Sequence, residues 1–127
     1  MLSEEEAKKF HGHLGPYLLL GYIAGKYAVD KLKPKNEFEL KAMIKCPLKT
    51  PFSCAIDGLQ CSSSCTFGKG NIKVEDGNDI EVEVGSGDKR IFFKVRKEVL
   101  KKLEELDMQE GIKWLRSLQV EEIYEIE

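Results

Sequence analysis

Three features of the sequence predict a single α+β domain. A long apolar helical stretch lies near the N-terminus, three short alternating segments separated by turn chemistry follow, and two helical segments lie towards the C-terminus. With 127 residues, 42% of them apolar and 33% charged, the chain can bury one core and is too short for two ordinary domains. No internal repeat, linker or low-complexity segment divides residues 1–127.

The elements follow in order. Ser3 and Glu6 form a capping-box pattern, and Glu4, Glu5 and Glu6 suit the positive end of a helix dipole, so a short helix should run to about Phe10. Gly12, Gly15 and Pro16 then force a turn. Pro16 suits the first position of a second helix, where its missing N–H costs nothing, and Lys33-Pro34 should stop that helix after about Leu32. This helix is apolar around most of its circumference and should therefore be central and buried. Gly21 and Gly25, four apart, thin one of its faces for tight packing against a sheet or a dimer mate.

Phe38, Leu40, Ala42 and Ile44 alternate with polar or longer residues and predict a strand. Residues 54–61 read as a short helix after Pro51. Strands are then expected at 71–75, 79–84 and 90–95, separated by Asp76-Gly77 and Gly85-Ser86-Gly87-Asp88. Ile80, Val82 and Val84 should face the core, with Glu81 and Glu83 in water. Helices at 96–106 and 108–118 follow, then a short tail, 120–127.

The charge balance, 20 basic against 22 acidic side chains with a net charge of −2, gives no general attraction to nucleic acid or to an anionic membrane. The apolar stretch 17–24 is far too short to span a bilayer, and the acidic N-terminus is unlike a secretory signal, so a cytoplasmic location is expected. Four cysteines in such a chain suit metal ligation, redox chemistry or core packing better than a disulfide frame. Disulfides would still suit a hyperthermophilic source, with which the Lys- and Glu-rich surface is compatible.

Two segments could carry chemistry, and read locally they lie at opposite edges of the helical part of the fold. His11-Gly12-His13 holds both histidines, which can converge from an extended turn before a helix. In the second segment, residues 54, 58, 61 and 65 would form one stripe if helical, placing Cys54, Cys61 and Cys65 on one face with Gly58. Thiolates and imidazole are the donors zinc prefers. The spacings from Cys46 through Cys54 and Cys61 to Cys65 match neither a zinc ribbon nor a ferredoxin run. Cys46, at a strand end, reads as a core residue, and Cys61 is divided between core and ligand. The segment Cys65-Thr66-Phe67-Gly68-Lys69-Gly70-Asn71 lacks the glycine and hydroxyl positions of a phosphate loop. It is either the turn into a strand or an anion-binding loop carrying Lys69.

Together the two segments resemble the FmdE/FwdE family of formylmethanofuran dehydrogenase proteins. The resemblance rests on Phe10-His11-Gly12-His13 leading into a long helix, then Cys54, Asp57 and Gln60, then Cys65 to Asn71, and spans about 10–95. It implies an FwdE/GAPDH-like α+β fold: helix, strand, helix and three strands on a mixed four-stranded sheet, here followed by C-terminal helices. It implies a zinc site, with iron also open, held by His13, Cys54 and Cys65, with His11 ligating or orienting. Asp57, Gln60, Cys61 and Lys69 would line the cleft. It further implies a homodimer, an archaeal or thermophilic, methanogenesis-related setting, and association with a molybdenum or tungsten oxidoreductase. Two departures stand out: Leu14-Gly15-Pro16 replaces a cysteine common soon after the histidines, and no cysteine follows Cys65, so the chain is expected to be the core domain without the C-terminal zinc finger that many members append.

Three functions are compatible with these residues. One is a metal-binding accessory or substrate-handling component of such an enzyme system. Another is a stand-alone metal-dependent enzyme with an open coordination position, Asp57 or the free histidine as general base and Lys69 as anion clamp. The third is thiol redox chemistry by Cys61 and Cys65.

Overall fold

The structure is a computed structural model that describes residues 1–127. It has the α+β architecture, with one strand more than the four expected. Helices α1 (Glu4–His11) and α2 (Pro16–Leu32) precede strand β1 (Leu40–Cys46), and α3 (Cys54–Ser63) separates it from β2 (Ile72–Asp76). The hairpin β3 (Glu81–Ser86) and β4 (Lys89–Val95) leads to α4 (Lys97–Glu105), α5 (Met108–Arg116), the single turn α6 (Val120–Ile123) and β5 (Tyr124–Ile126). The sheet order is β2-β1-β3-β4-β5, parallel only between β1 and β2.

The N-terminal signals act as read. Ser3 accepts from the Glu6 amide and Glu6 accepts from the Ser3 amide, which completes the capping box. Gly12 ends α1 at φ 106°, a conformation that penalises any side chain. Pro16 occupies the first turn of α2, which buries nine of its seventeen residues, as its apolar circumference requires.

Leu40, Ala42, Ile44 and Cys46 point into the core from β1, and Ile80, Val82 and Val84 join them fully buried. Phe38 departs from the expected alternation. Asn36 accepts from the Phe38 amide and caps a 3-10 turn over Glu37–Glu39, so Phe38 projects into solvent. The opposite face of the sheet is mostly charged, with half-buried Met43 and Phe92 flanking Glu83 as its apolar members. Its register aligns Glu75, Lys45, Glu81, Lys94 and Glu125 in one row of alternating charge across all five strands, while the ion pairs these strands form are Lys73–Glu75, Arg90–Glu83 and Lys94–Asp79.

The fifth strand arises from the tail. Tyr124 is wholly buried, packs edge-on against Phe93, and donates its hydroxyl to the Leu20 carbonyl of α2. Three residues of alternation are too few to signal a strand, so tertiary burial of Tyr124 decides the conformation.

The glycine face of α2 is filled by α3. A Cβ on Gly21 would lie 1.9 Å from the Ala55 carbonyl oxygen, one on Gly25 2.1 Å from Ser62 Oγ, and one on Gly58 2.0 Å from the Leu18 carbonyl oxygen. Backbone therefore meets backbone at Gly21 and Gly58, and the Ser62 hydroxyl fills the space at Gly25, so α3 occupies this face in place of the expected sheet or dimer mate. The expected homodimer loses Gly21 and Gly25 as support.

Candidate functional site

The α2–α3 crossing brings the two chemical segments together. His11 closes α1 and Asp57 lies in the first turn of α3, and His11 Nδ1 sits 2.6 Å from Asp57 Oδ2. Residues 46 apart in sequence thus form one dyad, rather than standing at opposite edges of the fold. The His11 side chain is 12% exposed and that of Asp57 35% exposed. His11 Nε2 is the one buried side-chain nitrogen or oxygen without a hydrogen-bond partner. A buried polar atom left unpaired is costly, so this nitrogen is where an electrophile or a donor would be stabilised. The ring of exposed His13 is next to it, with centroids 4.8 Å apart.

Gln60, one turn beyond Asp57, connects the dyad to the following loop. Its Nε2 donates to Asp57 Oδ1 at 3.4 Å, and its Oε1 accepts the Phe67 amide at 2.9 Å. Lys69 faces inward to its own loop. Its ammonium donates to the Ser64 carbonyl at 2.5 Å and to Thr66 Oγ1 at 3.0 Å, capping the negative end of α3. Asn71 completes the loop, accepting from the Thr66 amide and donating to the Glu37 and Leu40 carbonyls. The loop is the turn into β2, with its one cation engaged in holding that turn.

The predicted thiol stripe breaks at its last member. Ser64 adopts φ 63° and ends α3, which sends Cys65 into the main core, fully buried. Gly58 faces Leu18 and Tyr22 of α2. Cys61 is buried in a separate small cluster with Ala7 and Tyr22, beneath α1. Cys54 is half-buried at the start of α3. Cys46 is a core residue, as its strand-end position predicts. No three His, Cys, Asp or Glu side chains are arranged around a common metal position. Of the predicted donors, His11 and His13 are brought side by side, and Cys65 is sequestered.

All four thiols are free. Burial pushes Cys46 and Cys61 up to about 11, and the Asp76 and Asp57 carboxylates respectively add to the effect. Burial, then Asp57, raises Cys54, and burial raises Cys65 against the opposing influence of Ser63 and Lys69. Protonated thiols in separate packing environments are poor nucleophiles, which disfavours redox chemistry between Cys61 and Cys65.

Sequence reasoning named His11 and Asp57 separately and missed their pairing. It also missed the Phe67 amide, because a backbone donor leaves no residue-type signal.

The chain matches, over residues 10–125, the family described as "FmdE, Molybdenum formylmethanofuran dehydrogenase operon". It belongs to the FmdE family. The match extends past residue 95 and takes in α4, α5 and most of β5, so these elements are part of the FmdE domain rather than an appendage. A curated relative, the "Probable S-adenosyl-L-methionine-binding protein" of Archaeoglobus fulgidus, is 29% identical over 72 residues, or 52% of this chain and 18% of that protein. The chain therefore spans less than a fifth of that relative's length. No helix is long and apolar enough to cross a membrane.

Proposed function

We propose that this FmdE-family domain is a metal-binding accessory or substrate-handling component of a molybdenum- or tungsten-dependent formylmethanofuran dehydrogenase system. The observation that carries the metal reading is the orphaned, buried Nε2 of His11, whose other ring nitrogen is held by a carboxylate. A metal-bound histidine is characteristically oriented this way. The donor chemistry fits zinc, with iron as the alternative. His11 is the primary ligand in this reading, His13 the second, and Cys54 the thiol that half-burial leaves closest to solvent among the four. Cys65 is the least favoured of the predicted ligands because it lies in the apolar core. A bound ion would supply Lewis acidity at a position that the protein does not fully enclose. Asp57 orients His11 and supports the charge that would develop on its ring.

Metal analysis of untagged protein purified under reductant tests this. Stoichiometric zinc or iron in the wild type, lost in His11→Ala and His13→Ala and retained in Cys65→Ser, is the expected pattern. Absence of metal after reconstitution with zinc and iron, or full occupancy in His11→Ala, would refute it. Co-purification from the native source with a molybdenum or tungsten enzyme tests the partnership separately.

A stand-alone metal-dependent enzyme is the second reading, favoured by the shortage of converging protein donors, which would leave a coordination position for substrate. Asp57 is then committed to His11, so a general base would have to come from elsewhere in the site.

A further inference from the structure

The donors and acceptors around His11 form a chain whose polarity is fixed at its far end. The Phe67 backbone N–H can only donate, so the Gln60 atom it meets must be the amide oxygen. The Gln60 nitrogen then faces Asp57 Oδ1 and donates to it. Asp57 thus acts as an acceptor at one oxygen, and its other oxygen meets His11 Nδ1 at 2.6 Å. A carboxylate accepting at both oxygens leaves Nδ1 as the donor, which puts the ring's lone pair on Nε2, the orphaned atom.

We infer that Asp57 sets the tautomer of His11, with the proton on Nδ1 and the lone pair on Nε2, and that Gln60, anchored by the Phe67 N–H of the loop following α3, fixes the orientation of any amide placed at position 57. Gln60 is a positioning residue here. It donates to Asp57 Oδ1, leaving Oδ2 to His11, and touches no reacting atom. The loop's polar residues serve the same end. Lys69, Thr66 and Asn71 are engaged with one another or with neighbouring backbone, which fixes the segment that carries the Phe67 N–H. What had the look of an anion-binding segment instead delivers one backbone donor. The usefulness of the tautomer rests on the metal reading proposed above, but the tautomer itself does not.

The consequence is a sign reversal that a merely structural glutamine would not produce. In Asp57→Asn, Gln60 still donates to position 57, so the new amide must turn its oxygen to Gln60 and its NH2 group to His11. Nδ1 becomes the acceptor and the proton moves to Nε2. In Asp57→Asn combined with Gln60→Ala, nothing fixes the introduced amide, which can turn its oxygen to His11 and restore the proton to Nδ1.

The test is nitrogen-15 NMR of the imidazoles in metal-free protein at a pH where both histidines are neutral, with exposed His13 as internal control. The wild type is expected to show a protonated Nδ1 on His11, Asp57→Asn a protonated Nε2, and the double variant a return towards the wild-type pattern. Backbone amide spectra confirm that each variant is folded. Retention of the Nδ1 proton in Asp57→Asn, or identical spectra for Asp57→Asn with and without Gln60, would overturn the inference. Zinc titration of the same samples separates the two claims. The expected tautomers with no zinc binding overturn the metal reading alone, and zinc binding by a wild type protonated on Nε2 overturns this inference alone. Where both hold, Asp57→Asn weakens zinc binding by about 10- to 100-fold and the double variant recovers part of that loss.

Discussion

His11, at the end of α1, meets Asp57 on α3, which is itself seated by its close approach to α2, and Gly25 offers a measurable handle on that approach. A methyl group added at Gly25 would meet Ser62 Oγ at 2.1 Å, with the Ser63 nitrogen at 3.2 Å and Leu59 Cδ1 at 3.3 Å. Only the first contact is prohibitive, and it belongs to a side chain that donates to the Gly58 carbonyl at 3.2 Å. Overpacking a tight core contact costs about 1–3 kcal/mol. Replacing glycine by alanine inside a helix returns about 0.8–1.0 kcal/mol. Gly25→Ala should therefore lower stability by up to about 2 kcal/mol in the wild type. In a Ser62→Ala background the hydroxyl is gone and the remaining contacts, at 3.2 and 3.3 Å, need only a few tenths of an ångström of adjustment, so the same substitution should cost measurably less than in the wild type, down to stabilising by up to about 1 kcal/mol. Urea unfolding of the four proteins measures the cycle. With a slope of about 1–3 kcal/mol per molar urea, a penalty of about 2 kcal/mol should lower the midpoint by roughly 0.7–2 M at constant slope. Gly21→Ala is the companion, because its methyl would meet the Ala55 backbone rather than a removable hydroxyl, and Ser62→Ala should not rescue it. Equal cost of Gly25→Ala in both backgrounds would show that Ser62 does not fill that face. The α2–α3 geometry, and with it the placement of Asp57 against His11, would then be wrong.

Three further outcomes follow from local chemistry. Gly12→Ala meets no atom within 4 Å yet imposes a side chain at φ 106°, so it should cost about 1–2 kcal/mol of pure backbone strain in urea unfolding. Lys69→Ala removes two hydrogen bonds that hold the loop and should destabilise by about 0.5–1.5 kcal/mol. Phosphate should protect neither it nor the wild type against thermal unfolding, whereas protection of the wild type alone would restore an anion-clamp role. Cys46 and Cys61 should be nearly inert to a thiol reagent at neutral pH in the native protein and react at once in denaturant. Their ordinary value is 9.0 and their folded value about 11, so the native state holds more protons than the unfolded state across that interval. Their contribution to stability is complete below about pH 9 and declines as pH rises towards 11. Stability that rose over this window would contradict the burial of both thiols.

Elements with a signal inside a few residues were legible in the sequence. Ser3 and Glu6 sit at the start of α1, Pro16 at the start of α2, and the Gly85-Ser86-Gly87-Asp88 turn closes the β3–β4 hairpin. Errors occurred where a weak local pattern met a stronger partner elsewhere. Phe38 continues the alternation of β1, but Asn36 captures its amide and turns the chain. Cys65 continues the stripe of α3, but Ser64 enters the left-handed region and ends the helix first. The Tyr124 strand has almost no local signature and is fixed by burial against Phe93 and α2.

The candidate site divides in the same way, and for a reason specific to its chemistry. His11, Asp57 and Gln60 could each be suspected from residue type, because imidazoles, carboxylates and amides are rarely idle near a helix end. Their connection could not, since His11 reaches Asp57 only after Gly21, Gly25 and Gly58 have let two helices touch. The direction of the network depends further on the Phe67 N–H, a group every residue except proline possesses. Sequence thus names the side chains able to hold a proton or a metal. Asp57, brought to His11 by helices that glycines allow to touch, decides which nitrogen of His11 is left to do so.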